Sequence, residues 1–168
     1  KVMSFNVRLL NQFRWIDADN IDTKIIQLIQ DENPDVLLLQ EFRHNWGGTP
    51  KNLDFPYYSF KPSQRGQYGS AIFSKFPMSK SQVVTFENDS SGNNQFQYAD
   101  LTWKDKTIRF INIHLASVGL EEADYQLLEH PNTEDQEQLE SGLKSIVRNL
   151  HYAFERREEQ VQTVVREI

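Results

Sequence analysis

Asn33-Pro34-Asp35-Val36-Leu37-Leu38-Leu39-Gln40-Glu41 is the stretch on which the fold turns. Proline disfavours the helical conformation in the residue before it, so a helix arriving at Asn33 stops there. Val36 to Leu39 is an unbroken apolar run. It suits a strand covered on both faces, as in a parallel sheet. Glu41 closes the run with a charge. Upstream, Ile21, Ile25, Leu28 and Ile29 recur at helical spacing, after a polar loop, Asp17 to Asn20, that holds candidate caps. Val2 to Val7 alternates and ends in polar residues, as a short buried strand does. Residues 1–41 therefore read as a strand–helix–strand unit, which is expected to be right-handed.

Downstream, residues 42–56 hold Gly47, Gly48, Pro50 and Pro56 and read as loop. Strands are expected at Tyr57 to Phe60, Gly69 to Phe73, Val83 to Phe86, Phe96 to Trp103 and Thr107 to Ile113. The turn Ser74-Lys75-Phe76-Pro77, the Asn-, Ser- and Gly-rich loop Asn88 to Asn94, and Lys104-Asp105-Lys106 separate them. From Glu134 the pattern becomes helical. Leu139, Leu143, Ile146, Val147, Leu150, Phe154, Val161, Val164, Val165 and Ile168 form an apolar stripe, in one helix or in two broken at Gly142. The stripe reads as a helix packed on a sheet, with an interaction arm as the alternative.

The 168 residues suffice for one domain with a sizeable core. There is no cysteine, which excludes a disulfide framework and a thiolate zinc site. A net charge of −6 argues against tight, non-specific coating of DNA, which needs a basic face. Much of that acidity lies in residues 121–140. No run of about 18 apolar residues occurs, and no signal peptide is visible. Lys1 opens one residue before a strand and Ile168 falls inside a helical pattern, so the chain reads as an excised piece of a longer protein of unknown localisation.

Asn6 and Glu41 close two parallel strands joined by one helix, so they share one edge of the sheet, where open α/β sheets bind ligands. His114 follows the strand Phe110 to Ile113 and reaches the same rim if that strand runs in the same sense in the same sheet. Mg²⁺ takes oxygen ligands, commonly one or two carboxylates with waters and a substrate phosphate. Glu41 with a supporting Asn6 amide meets that need, and a histidine beside them can donate to a phosphate oxygen or leaving group. Each has an ordinary alternative: Glu41 as the first solvated residue past a core strand, Asn6 in a turn, His114 as a structural histidine, Gly69-Ser70 as a tight turn, Arg157 and Gln160 as a solvated helix face. Asn112 and Ser117 carry no signal of their own.

Taken in order, Met3-Ser4-Phe5-Asn6-Val7-Arg8, Asn33 to Glu41, Tyr68-Gly69-Ser70-Ala71-Ile72-Phe73-Ser74-Lys75-Phe76-Pro77 and Asn112-Ile113-His114-Leu115-Ala116-Ser117 resemble the endonuclease/exonuclease/phosphatase family, the deoxyribonuclease-I-like metal-dependent phosphoesterases. Arg157-Glu158-Glu159-Gln160 is similar to the family's later Arg-x-x-Gln helix. The resemblance implies a four-layer α/β/β/α sandwich, DNase I-like, with mixed β-sheet and outer helices, of which this chain is the first half. It implies Glu41 as the Mg²⁺ ligand, with Mn²⁺ as the alternative ion. Asn6 would orient the metal and phosphate, His114 would contact the scissile phosphate or act as acid, and Gly69 and Ser70 would support the site. The substrate would be a phosphate ester, nucleic acid among the candidates.

Two departures qualify the resemblance. Residues 1–117 carry the core, but 118–156 form a helical insertion similar to that of a bacterial branch with N-terminal membrane helices, and 157–168 begin the next helix. The family's Gly-Asp-x-Asn and Ser-Asp-His motifs are also absent from these 168 residues. The chain alone is therefore expected to be inactive, and to self-associate through a bare inner sheet face. A non-catalytic binding or assembly module on the same scaffold is the alternative.

Overall fold

The computed structural model describes residues 1–44, 53–64, 66, 68–87, 89, 91–130 and 136–168. The loop reading at Gly47, Gly48 and Pro50 and the helix start at Glu134 lie outside the described residues. Two compact units, Lys1–His114 and Leu115–Ile168, divide the chain.

In the first unit, β1 (Val2–Asn6) and β2 (Val36–Phe42) run parallel, with Val2 opposite Val36 and Asn6 opposite Gln40. Helix α1 (Ile21–Glu32) connects them. It ends on Asn33 in the left-handed conformation, whose amide bonds back to the Ile29 carbonyl at 3.0 Å, and Pro34 follows. Strands β3 (Tyr57–Pro62) and β4 (Gly69–Ser74) complete a mixed sheet in the order β1-β2-β4-β3, with β4 antiparallel to both neighbours. The apolar run of β2 is buried on both faces, as its composition requires. Leu37 and Leu39 pack with Val7, Ile29 and Phe73, while Val36 and Leu38 pack with Ile72, Ala99 and Leu101. On α1, Ile25 and Ile26 join Ile29 in that contact, and Leu28, which the spacing placed with them, is exposed.

The chain changes sheet at Lys75–Pro77. Strands β5 (Met78–Thr85), β6 (Gln95–Trp103) and β7 (Lys106–His114) form a separate antiparallel sheet in the order β5-β6-β7. The described residues therefore form two sheets, and the strand before His114 is not in the sheet of Asn6 and Glu41. On the four-stranded sheet, Val36, Leu38 and Ile72 pack against Ala99, Leu101 and Phe110 from the second sheet.

Gly69 sets how closely β3 approaches β4. A Cβ on it would stand 2.0 Å from the Lys61 carbonyl oxygen and 2.8 Å from the Pro62 Cα, both backbone atoms in a paired strand. Gly69→Ala should therefore force the strands apart and destabilise the protein by about 2–3 kcal/mol, as overpacking does. A urea midpoint equal to that of the parent protein would refute this.

In the second unit, α2 (Glu122–Glu129) buries no residue and is started by a reciprocal cap, Glu121 with Asp124. The apolar periodicity gave no sign of it. Helix α3 runs unbroken over Gln136–Glu167, so the junction expected between 156 and 157 lies inside one helix. Gly142 does not break it. A Cβ there would meet Leu127 Cδ2 at 2.3 Å, so glycine lets the α2 side chain lie against α3. The predicted stripe is not one buried face: Ile146, Ala153, Gln160 and Val164 are buried, whereas Val147, Phe154 and Val165 are exposed. Among the described residues no helix is long and apolar enough to cross a membrane.

Candidate functional site

Asn6, Glu41 and His114 meet. Parallel pairing of β1 and β2 brings Asn6 beside Glu41, and the Asn6 Nδ2 donates to Glu41 Oε1 at 2.9 Å. The Asn6 carbonyl oxygen accepts from the Arg8 backbone N–H at 2.9 Å, which fixes the amide's orientation. His114 comes from the second sheet rather than the same one. Stacking of β7 over β2 carries Asn112 to Gln40 and His114 Nε2 to within 3.3 Å of the same Glu41 oxygen.

The backbone at Glu41 is bent for this purpose. Leu39 pairs with Ala71 and Phe42 with Gly69, so β2 holds one residue more than β4 between those pairs, a β-bulge. Glu41 sits in that bulge at φ +50°, a conformation costing on the order of 1–3 kcal/mol for a non-glycine residue. The bulge turns the carboxylate toward Asn6 and His114. Asn112 supports it from below. Fully buried, it donates from Nδ2 to the carbonyls of Leu39 at 2.8 Å and Ala71 at 3.1 Å, and its oxygen accepts from Gln40 Nε2 at 2.5 Å. Sequence reasoning passed over Asn112. The available signal was period-two alternation, which puts it on the same face as His114.

The electrostatics follow from the contacts. The hydrogen bond from His114 holds the Glu41 carboxyl below the usual carboxylate range. Burial opposes this, and the Asn6 amide and the charges of His114 and Arg8 reinforce it. For His114, burial pushes the pKa down, but Glu41 and the Asn93 carbonyl outweigh it, and the result lies above the ordinary histidine value. Geometry gives the same answer. His114 Nδ1 faces the Asn93 carbonyl oxygen at 3.1 Å and Nε2 faces a carboxylate, so only the doubly protonated ring satisfies both acceptors. The loop that presents Asn93 is pinned by Asp89, which accepts from the Asn94 N–H and Nδ2, both at 2.8 Å, and from Ser91 Oγ at 2.6 Å.

Gly69 and Ser70 lie on β4, where Gly69 pairs with Phe42 and the Ser70 hydroxyl accepts from Gln95 Nε2 at 3.4 Å. Arg157 and Gln160 are not a solvated face. Within the second unit Arg157 Nε donates to the Ala116 carbonyl at 2.8 Å, and Gln160 Oε1 accepts from the Ala116 N–H at 2.9 Å, so the pair holds one residue of backbone. Ser117 is exposed.

Residues 3–110 match the description of the endonuclease/exonuclease/phosphatase family, and the chain belongs to that family. Solved structures agree on the fold. Truncated Caenorhabditis elegans TDP2 superposes with a TM-score of 0.55 at 22% identity, over 74% of this chain and 49% of that one. D. rerio TDP2 complexed with a single-strand DNA product gives 0.54 at 17% identity, over 78% and 55%. SmcL gives 0.51 at 20% identity, over 76% and 55%. The chain thus spans about half the length of the structures it matches. No curated protein sequence matches it.

Proposed function

We propose that the protein is a Mg²⁺-dependent phosphodiesterase of the nuclease type, to which this chain contributes a half-site. One observation carries the reading: an ionised carboxylate, its orienting amide and a protonated histidine converge from three strand ends onto one oxygen. Glu41 would hold the cation. Both of its contacts fall on Oε1, and among the described residues Oε2 accepts no hydrogen bond, which leaves it for a hard cation. No cluster of three His, Cys, Asp or Glu side chains able to hold a metal occurs among the described residues. A single carboxylate with a supporting amide suits Mg²⁺, which keeps much of its water. Bound there, the cation supplies neutralisation of charge developing on the phosphoryl oxygens.

The chain's own groups do the rest. Asn6 fixes the carboxylate, and His114, as imidazolium, would turn its Nε2–H from Glu41 Oε1 to a phosphate oxygen or to the leaving oxygen when substrate binds. The water-activating residues of the family's later motifs would come from the rest of the protein. One TDP2 structure was solved with a single-strand DNA product, which supports nucleic acid as the substrate class. Mn²⁺ could replace Mg²⁺. A bacterial, membrane-tethered parent is proposed on the resemblance of residues 118–156 alone.

The test takes the native protein containing this chain and offers it plasmid DNA, a lipid phosphodiester and a phosphomonoester. Hydrolysis of DNA that needs Mg²⁺ and stops on chelation is expected. Absence of turnover on all three, with Glu41→Ala behaving like the parent, would leave the non-catalytic module as the better reading.

A further inference from the structure

We propose that Phe13 and Trp15 form a stacking platform for a base of single-stranded nucleic acid, with Arg8 on the adjoining phosphate, immediately beside the Asn6–Glu41–His114 site. The inference rests on the phosphoesterase reading of that site and names its substrate class.

The segment after β1 does not wander. Arg8, Leu9, Leu10 and Asn11 are all left-handed, at φ +42° to +61°, and form a tight turn that buries Leu9 and Leu10. Asn11 closes the following loop in both directions, accepting from the Ile16 N–H at 3.0 Å and donating to the Ile16 carbonyl at 2.8 Å. Gln12 accepts from Arg43 Nη1 at 2.6 Å, and Arg43 lies two residues past Glu41 on the same chain segment. The loop is thereby tied to the strand that carries the candidate metal ligand.

What this built loop presents is apolar. Phe13 is 63%, Trp15 42% and Ile16 54% exposed, and nothing in the core needs them. The two rings stand edge to face, 5.2 Å apart at 76°, and the Arg8 guanidinium lies 4.6 Å over the Trp15 ring. Arg8 is also the cation whose charge reaches Glu41. A positive charge held on an aromatic face, at the mouth of a phosphoester site, is the arrangement that receives a base and its phosphate together.

A membrane surface is the competing occupant, since exposed Trp, Phe and Ile also anchor in lipid. Two features favour the nucleic acid strand. Asp17 and Asp19 follow Ile16 on the same exposed loop, so inserting the aromatics would carry two carboxylates toward the bilayer. Arg8 instead sits on the Trp15 ring, as in single-strand binders, while Arg14 pairs with Asp19 at 3.7 Å. Because the whole chain is acidic, at −6, stacking would have to supply affinity that bulk charge does not.

The test measures fluorescence anisotropy of a labelled oligothymidylate with the native protein in chelator, where no turnover occurs. Phe13→Ala should weaken binding about tenfold, the loss of one stacked base, and Phe13→Tyr should restore it. Trp15→Ala should weaken it at least as much, because Arg8 loses its support. Affinity unchanged in Phe13→Ala and Trp15→Ala, or no binding by the parent protein, would overturn the inference. So would variants that lose affinity only for phosphatidylcholine vesicles, which would make the loop a lipid anchor. Because binding is read without catalysis, a protein inactive on every phosphoester can still pass, and an active nuclease can still fail.

Discussion

Glu41→Gln should lower the pKa of His114 in the metal-free protein and remove phosphodiester turnover by about a thousandfold, the scale of losing a group that stabilises developing charge. The substitution keeps shape and deletes only the charge. His114 stands above the ordinary histidine value because Glu41 and the Asn93 carbonyl outweigh the effect of burial. Without the carboxylate, burial acts against a weaker opponent, and the titration of the His114 ring by NMR should move to lower pH. The stability consequence has two limbs. Glu41, whose folded pKa is lowered, stabilises the fold above its unfolded pKa and stops doing so as pH falls through the folded value. His114, whose folded pKa is raised, contributes fully below its unfolded value of about 6.5 and less as pH rises through the folded one. The parent protein should therefore gain most from the pair at mildly acidic pH, and Glu41→Gln should flatten that maximum. A His114 titration identical in both proteins would show that the ring owes its charge to something other than Glu41.

Asn112→Leu should cost about 3 kcal/mol or more, the largest stability loss predicted for a single side chain here. Leucine matches the volume. It leaves the carbonyls of Leu39 and Ala71 without the Asn112 donor, and the Gln40 amide without the acceptor at 2.5 Å. An unsatisfied buried polar group costs roughly 1–3 kcal/mol each. Gln40 keeps its contact to Ser4 Oγ, so its share should be the smaller. Adding Gln40→Leu removes the orphaned amide, and the double variant should recover part of the loss, a coupling that a double-mutant cycle reads directly. The bulge at Glu41 rests on the Leu39 and Ala71 carbonyls, so Mg²⁺ affinity, followed by calorimetry, should fall with stability. A urea midpoint unchanged in Asn112→Leu would mean that the amide is not holding the two sheets.

The three residues of the site were legible because strand ends are. An apolar run followed by a charge marks a rim, and parallel pairing across one helix sets two rims side by side, so the sequence alone places Asn6 and Glu41 together. His114 was legible only in part. Its position after a strand was visible, but β4 and β5 follow each other so closely that the change of sheet at Lys75–Pro77 leaves no mark in hydrophobic pattern. The bulge was hidden for a related reason: one extra residue in a strand does not alter composition, and the pairing that defines it lies about thirty residues away on β4. Asn112 looked like any polar residue in a strand because what it bonds is backbone, which has no sequence. Helix α2 lies within residues 118–156, which the family resemblance marked as a helical insertion; periodicity did not mark it, because it is eight residues long and buries none of them. Phe13 and Trp15 carried no pattern of their own in the sequence, and only the left-handed turn before them shows that both stand outside the core.

The amides between the sheets have a mechanical meaning. Stacked sheets held by apolar contacts alone can slide, since a leucine is nearly as content one ångström along. Gln97 donates to the Ser59 carbonyl and Gln95 to the Lys61 carbonyl, while Asn112 takes those of Leu39 and Ala71. Ser59 and Lys61 are two residues apart on β3, and Leu39 and Ala71 face each other across β2 and β4, so a small shift of one sheet over the other breaks several bonds at once. The arrangement works as a vernier, dividing a coarse contact into one permitted setting. Glu41 and His114 ride on different sheets, and the gap between them is whatever that setting allows.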